Sequence, residues 1–124
     1  MEPILIMKTA GVLLAITALG GLTMVGIRYA GKPQPPTWLA MLHGFLSAAA
    51  VTLLLYAYLT VGLPALACWA LLLLLIAAAG GAFLNLNYHW KMLPLPMGLI
   101  AGHAGVAVIG FVLLLAAIWA ATRA

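Results

Sequence analysis

The chain has 124 residues, of which 68% are apolar and 5% are charged, and Glu2 is its single acid. A soluble domain needs far more charged surface, so the composition excludes that class and indicates one integral membrane domain, residues 1–124. The net charge of +4 comes from five basic residues near the ends of apolar segments, where lipid headgroups lie. We therefore expect a lipid bilayer around the chain and no nucleic-acid partner.

Four apolar segments are each long enough for a helix that crosses a hydrocarbon core of about 30 Å. They cover approximately 9–29, 37–60, 64–88 and 97–121. Proline-rich connections at 30–36 and 90–96 and a short turn at 61–64 separate them. Because short connections make neighbouring helices antiparallel, the pattern predicts an all-α membrane protein with four transmembrane helices arranged up-down-up-down.

The sequence matches itself when it is shifted by sixty residues. Each copy contains two spans, so the copies, about 4–60 and 64–120, should have the same orientation in the membrane. We therefore expect two parallel two-helix repeats, with the second and fourth helices facing each other across an axis along the membrane normal. Glycine pairs, prolines and histidines coincide in this register: Gly20-Gly21 with Gly80-Gly81, Pro36 with Pro96, and His43 with His103.

Two histidines, His43 and His103, lie inside apolar helices at matching positions of the repeat. At 1.5 Å per residue each lies about 9 Å from the start of its helix, and the glycine pairs lie in nearly the same layer. Ionisable groups inside a membrane are costly and indicate function. Two neutral imidazoles on facing helices can occupy both axial positions of one haem iron, which favours electron transfer. The sequence predicts His43 and His103 as the metal ligands of one haem b.

Further residues complete the predicted haem site. The glycine pairs leave room for the macrocycle, or they let the first and third helices pack closely without a ligand. Basic residues supply the cations that haem propionates need. Ser47, one helical turn after His43, can orient the ring or bond its own helix backbone. The predicted cofactor-binding residues are Gly20, Gly21, Gly80, Gly81, Ser47, Arg28, Lys32 and Lys91.

Two other residues with metal-binding side chains have simpler interpretations. His89 aligns with Tyr29 and not with a histidine, and its interfacial position indicates a solvated residue. A propionate partner, a proton carrier and a ligand of a second metal are the alternatives for it. Cys68 is the single cysteine and is expected to be a buried thiol.

The second and fourth spans begin with the same motif, Pro-x-x-Leu-x-x-x-His. It is formed by Pro36, Leu39 and His43 and again by Pro96, Leu99 and His103. In this motif the chain resembles small four-helix proteins of the bacterial inner membrane. In plan it is similar to membrane b-type cytochromes, which hold haem between histidines of neighbouring helices. The resemblance implies an inner-membrane location and a reduced, single-haem site, because those cytochromes carry histidines on more helices.

The distribution of basic residues predicts the orientation of the chain in the membrane. Arg28, Lys32 and Lys91 lie on the side of the two proline-rich connections, whereas Lys8 and Arg123 lie on the other side. Because cytoplasmic loops carry the excess of basic residues, connections 30–36 and 90–96 are expected to be cytoplasmic.

Three functional classes remain open, and each is more compatible with a carrier or subunit than with a stand-alone enzyme. The first is an electron-transfer haem protein whose partner is a quinone or a redox protein. The second is a non-catalytic structural or anchoring subunit of a larger membrane complex, in which the histidines only bond neighbouring helices. The third is a small transporter subunit, which would need a histidine proton path because Glu2 lies outside the bilayer. A homodimer is compatible with all three.

Overall fold

The computed structural model describes residues 2–124, and this part of the chain is helical without any strand. Each of the four long helices is long and apolar enough to cross a membrane, which confirms the predicted all-α membrane class. The helices are α1 (Pro3–Tyr29), α2 (Thr37–Thr60), α3 (Ala65–Leu84) and α4 (Met97–Arg123), and a π-helical turn (Asn85–His89) continues α3.

Prolines mark the start of every helix. Pro3 lies in the first turn of α1, and Pro36, Pro64 and Pro96 directly precede the other three helices. The fixed φ angle of proline suits this position, and its missing N–H would have no helical partner there. Helix α1 therefore begins at Pro3 and not near Thr9, where the apolar segment begins.

Helices α1 and α2 are followed by left-handed residues, and both of these are glycines. Gly31 has a φ angle of 97° and Gly62 one of 85°, a region that side chains disfavour. After α3 the left-handed residue is Met92, with a φ angle of 57°. It is the one non-glycine residue with a positive φ angle among residues 2–124. Met92 therefore carries backbone strain that Gly31 avoids.

The buried core lies away from the two proline-rich connections. Helix α1 packs mainly against α2 and α3 against α4, and the two pairs meet through smaller α1–α4 and α2–α3 contacts. Every buried residue of α3 and α4 has a buried counterpart sixty positions earlier. These counterparts are Met7 and Ala67, Ala10 and Ala70, Gly11 and Leu71, Leu14 and Leu74, Thr17 and Ala77, Ala50 and Gly110, Leu54 and Leu114, and Ala57 and Ala117.

The two proline-rich connections, residues 30–36 and 90–96, contact each other and form what we call the connection end. The backbone N–H of Leu95 donates to the carbonyl oxygen of Pro33 at 3.2 Å. The side-chain amide of Gln34 donates to the carbonyl oxygen of Leu93 at 3.0 Å. Both connections therefore lie at the same end of the bundle.

Most of the helical surface is apolar and exposed. Less than a third of each span is buried within the chain. Large side chains that project outward include Leu19, Phe45, Trp69 and Trp119. A surface of this kind matches the hydrocarbon of a lipid bilayer.

Candidate functional site

The rings of His43 on α2 and His103 on α4 lie side by side. Their centroids are 6.2 Å apart and their planes are inclined at 69°. Both side chains are half-buried. The structure thus brings together the two histidines that the sixty-residue shift pairs.

Each imidazole donates a hydrogen bond to a backbone carbonyl of the neighbouring helix. Nδ1 of His43 lies 2.9 Å from the carbonyl oxygen of Thr17, and Nδ1 of His103 lies 2.8 Å from that of Ala77. A carbonyl oxygen can only accept, so each Nδ1 carries a proton, and in the neutral ring Nε2 holds the free lone pair. Thr17 and Ala77 are themselves sixty positions apart.

The glycine pairs leave room for the rings at these carbonyls. A Cβ atom on Gly21 would lie 3.1 Å from Cε1 of His43, and one on Gly81 would lie 3.0 Å from Cε1 of His103. Gly20 and Gly80 also adjoin the rings, with Cβ positions 3.9 Å from Cβ of His43 and 3.7 Å from Nδ1 of His103. The four glycines therefore seat the imidazoles, and their predicted contact with a macrocycle stays a prediction.

Neither Nε2 atom has a hydrogen-bond partner within residues 2–124. In the same part of the chain, no buried side-chain nitrogen or oxygen lacks a partner. The Nε2 atoms of His43 and His103 are therefore not fully buried.

Ser47 takes the second of the two roles open to it. Its hydroxyl group donates to the carbonyl oxygen of Gly44 in the same helix, at 2.9 Å. The hydroxyl group makes no hydrogen bond to His43, and the predicted role of Ser47 beside a haem stays a prediction. Backbone carbonyls of Thr17 and Ala77 orient the rings instead, and no side-chain pattern in the sequence identifies a backbone acceptor.

The three basic residues predicted to bind propionates lie at or beside the connection end. Arg28 is half-buried, and its Nε donates to the carbonyl oxygen of Leu95 at 3.1 Å. Lys32 lines a surface groove of about 540 Å³ together with Gln34 and other residues of its connection. Lys91 is exposed. Their role toward haem propionates stays a prediction.

The interpretation of His89 as a solvated residue is wrong, because its side chain is only 8% exposed. Its Nε2 lies 3.1 Å from the carbonyl oxygen of Pro35, and its Nδ1 lies 3.2 Å from Oδ1 of Asn85. The π-helical turn explains this burial, because a wider turn changes the direction of the following side chain. Tyr29, which the sixty-residue shift aligns with His89, is 75% exposed.

A groove of about 340 Å³ between α3 and α4 adjoins His103. Gly98 and Gly102 line it, and a Cβ atom on either would meet nothing within 4 Å. Sixty positions earlier the chain has Trp38 and Leu42. Small residues therefore line the groove beside His103, whereas large side chains stand at the equivalent positions near His43.

No group of three or more His, Cys, Asp or Glu side chains suited to a metal ion occurs among residues 2–124. Cys68 is half-buried, and its Sγ lies 3.6 Å from the carbonyl oxygen of Leu63. The expected buried thiol is therefore only partly covered.

No family model, curated protein or solved structure matches this chain. The fold defines the class as an all-α protein with four helices that are long and apolar enough to cross a membrane.

Proposed function

We propose that this protein is a membrane electron carrier that holds one b-type haem between His43 and His103. The observation that carries the proposal is the pair of imidazoles, with centroids 6.2 Å apart, each bonded through Nδ1 and unpaired at Nε2. A hydrogen bond from Nδ1 to a carbonyl oxygen is a common way to orient a histidine that ligates a metal through its other nitrogen.

The chemistry of the two rings suits the iron of a haem. The two imidazoles, with centroids 6.2 Å apart, would be the two ligands that the protein supplies. A haem iron needs only two ligands from the protein, whereas a zinc ion takes three or four. Two imidazoles therefore suit haem better than a bare metal ion.

A bound haem supplies a reversible one-electron couple. His43 and His103 would both ligate the iron, and an iron with two protein ligands favours electron transfer over oxygen chemistry. The carbonyls of Thr17 and Ala77 keep the rings oriented. The basic residues Arg28, Lys32 and Lys91 supply positive charge for the two haem carboxylates, and the electron partner is a quinone or a redox protein.

The proposed site also implies an architecture for the whole chain. We propose two parallel two-helix repeats that run up-down-up-down, in a bacterial inner membrane with the connection end on the cytoplasmic side. The recurrence of buried positions after sixty residues supports the repeats, as does the recurrence of the histidine–carbonyl bond. The contact between the two connections supports the alternating direction of the helices.

Haem titration of the purified protein tests the proposal. The wild-type chain should bind one equivalent with a low-spin spectrum, because two imidazoles would ligate the iron. His43→Ala and His103→Ala should each lose that spectrum, because each removes one of the two ligands. Asn87→Ala is the matched control, since this exposed amide bonds only the Phe83 carbonyl of its own helix. Unchanged spectra in both histidine variants contradict the proposal.

One observation favours a second candidate, a structural or anchoring subunit of a larger membrane complex. Each histidine–carbonyl bond joins two helices, and such bonds hold a bundle together without any metal. In that case His43→Ala lowers the stability of the bundle while the wild-type chain binds no haem. Native purification should then retrieve the partner subunits.

A further inference from the structure

The last turns of α1 and α3 are equivalent when the chain is shifted by sixty-one residues. The N–H of Gly31 donates to the carbonyl oxygen of Arg28 at 3.2 Å, and the N–H of Met92 donates to that of His89 at 3.1 Å. The extra residue lies in the π-helical turn, Asn85–His89. His89 is therefore the structural counterpart of Arg28. A second pair of backbone hydrogen bonds is also related by sixty-one residues. The N–H of Lys32 donates to the carbonyl oxygen of Ile27 at 3.3 Å, and the N–H of Leu93 donates to that of Tyr88 at 2.9 Å.

Arg28 and His89 donate to matching carbonyls on opposite connections. Nε of Arg28 lies 3.1 Å from the carbonyl oxygen of Leu95, and Nε2 of His89 lies 3.1 Å from that of Pro35. Pro35 and Leu95 are sixty positions apart. Each side chain thus reaches from its own helical pair to the connection of the other pair.

These two bonds lie at the end of the bundle with the least buried packing. The main cluster of buried apolar side chains lies away from the connections, and it includes Leu14, Leu54, Leu74 and Leu114. Little buried packing therefore joins the two helical pairs at the connection end. His89 is suited to join them, because it is 8% exposed and a buried hydrogen bond is stronger than an exposed one.

We propose that Arg28 and His89 are paired positioning residues for the candidate histidine site. By joining each helical pair to the connection of the other, they set the distance between α2 and α4 at the level of His43 and His103. The inference rests on the proposed function for its effect on haem. The spacing of the helices itself can be measured without haem.

Spin labels on α2 and α4 measure that spacing directly. Phe45→Cys and Gly105→Cys place the labels at exposed positions sixty residues apart, in full-length protein that also carries Cys68→Ala. His89→Ala should broaden the label distance and lengthen it by about 1–2 Å, the size of typical helix shifts. Asn87→Ala should leave the distance unchanged, because its amide contacts only its own helix.

Two further variants separate positioning from a general loss of structure. His89→Arg should restore the narrow distance distribution, because it places at position 89 the donor that Arg28 already provides. Asn85→Ala keeps the Nε2 donor of His89 but removes the contact that Asn85 makes with Nδ1 of the ring. It should therefore broaden the distribution of label distances less than His89→Ala does. The same distribution in His89→Ala as in Asn87→Ala overturns the proposal, as does failure of His89→Arg to restore it.

The haem-loaded protein provides the second readout. His89→Ala should convert part of the iron from six-coordinate low spin to five-coordinate high spin, because the imidazoles move apart. His89→Arg should retain the low-spin form. A longer label distance with an unchanged spectrum overturns the positioning role. If the wild-type chain binds no haem, the proposed function fails, and the label distance alone decides whether His89 sets the helix spacing.

Discussion

The carbonyl groups of Thr17 and Ala77 hold the two imidazoles, and glycines make these carbonyls reachable. In an α-helix each carbonyl points toward the residue four positions on, so a side chain there covers it from the side. Gly21 and Gly81 stand at those positions and have no side chain. The protein therefore uses the glycine pairs to expose a backbone acceptor at the depth of each histidine.

Gly21→Ala should lower the free energy of unfolding relative to Gly26→Ala by about 1–2 kcal/mol, the upper range for one hydrogen bond between membrane helices. The new Cβ atom would lie 3.1 Å from Cε1 of His43, so the ring must move away from the Thr17 carbonyl. A Cβ atom on Gly26 meets nothing within 4 Å. Thermal unfolding in detergent measures the difference, and equal stabilities of the two variants would contradict this account.

Met92→Gly should raise the free energy of unfolding by about 1 kcal/mol, since a side chain in the left-handed region costs roughly that much. Met92 has a φ of 57°, where its counterpart Gly31 has one of 97°. Gly31→Ala should have the opposite effect for the same reason. Chemical unfolding of the two variants checks both signs, and a loss of stability in Met92→Gly would count against the observed turn.

At the scale of single residues, the histidine pair and the glycines beside it could be predicted from the sixty-residue register. Their hydrogen-bond acceptors could not, because Thr17 and Ala77 contribute main-chain atoms that every residue has. For Ser47 the sequence identifies the donor group but not its acceptor. Its hydroxyl has an acceptor in its own helix, and the choice between that acceptor and His43 depends on geometry that the sequence does not contain.

The π-helical turn is the element that most changes the sequence-based interpretation. The sequence predicts one apolar segment over 64–88, whereas the structure ends the α-helix at Leu84 and adds a wide turn to His89. The constant shift of sixty residues aligns His89 with Tyr29. The extra residue in the π-helical turn instead makes His89 the structural counterpart of Arg28. A π-helical turn has no reliable sequence signal, and it is stabilised here by the contact that His89 makes with Pro35.

Helices α3 and α4 pack closely at Gly110. A Cβ atom there would lie 3.0 Å from Cγ of Leu74 and 3.3 Å from Cβ of Leu73. Gly110→Ala should therefore destabilise the bundle by about 1–3 kcal/mol, as overpacking of a close contact does. Gly105→Ala in the same helix meets nothing within 4 Å and serves as the control. Unfolding in denaturing detergent compares them, and a neutral Gly110→Ala would show that the helices can separate freely.

For the whole molecule, the class and the number of spans follow from the length of the apolar segments, and both are confirmed. The pairing of α1 with α2 and of α3 with α4 also agrees with short connections between neighbours. The bond by which His89 joins the two pairs could not be predicted, because it depends on the extra residue of the π-helical turn. The bond of Arg28 could not be predicted either, because its acceptor is a main-chain carbonyl.

The connection end should face the cytoplasm, because it lies beside Arg28, Lys32 and Lys91. In protein that carries Cys68→Ala, the exposed variant Ala30→Cys should react with a membrane-impermeant thiol reagent only in inverted vesicles. Ala124→Cys, at the exposed other end of α4, should react only in intact spheroplasts. The reverse labelling pattern would invert the proposed orientation.

The most direct test of the haem proposal is a reduced-minus-oxidised absorption spectrum of the wild-type chain, purified in mild detergent from haem-replete cells. The imidazoles of His43 and His103, 6.2 Å apart with both Nε2 atoms unpaired, predict the spectrum of one low-spin b-type haem per chain. A folded, colourless and iron-free preparation, obtained under conditions in which a control haem protein keeps its cofactor, would contradict the proposal.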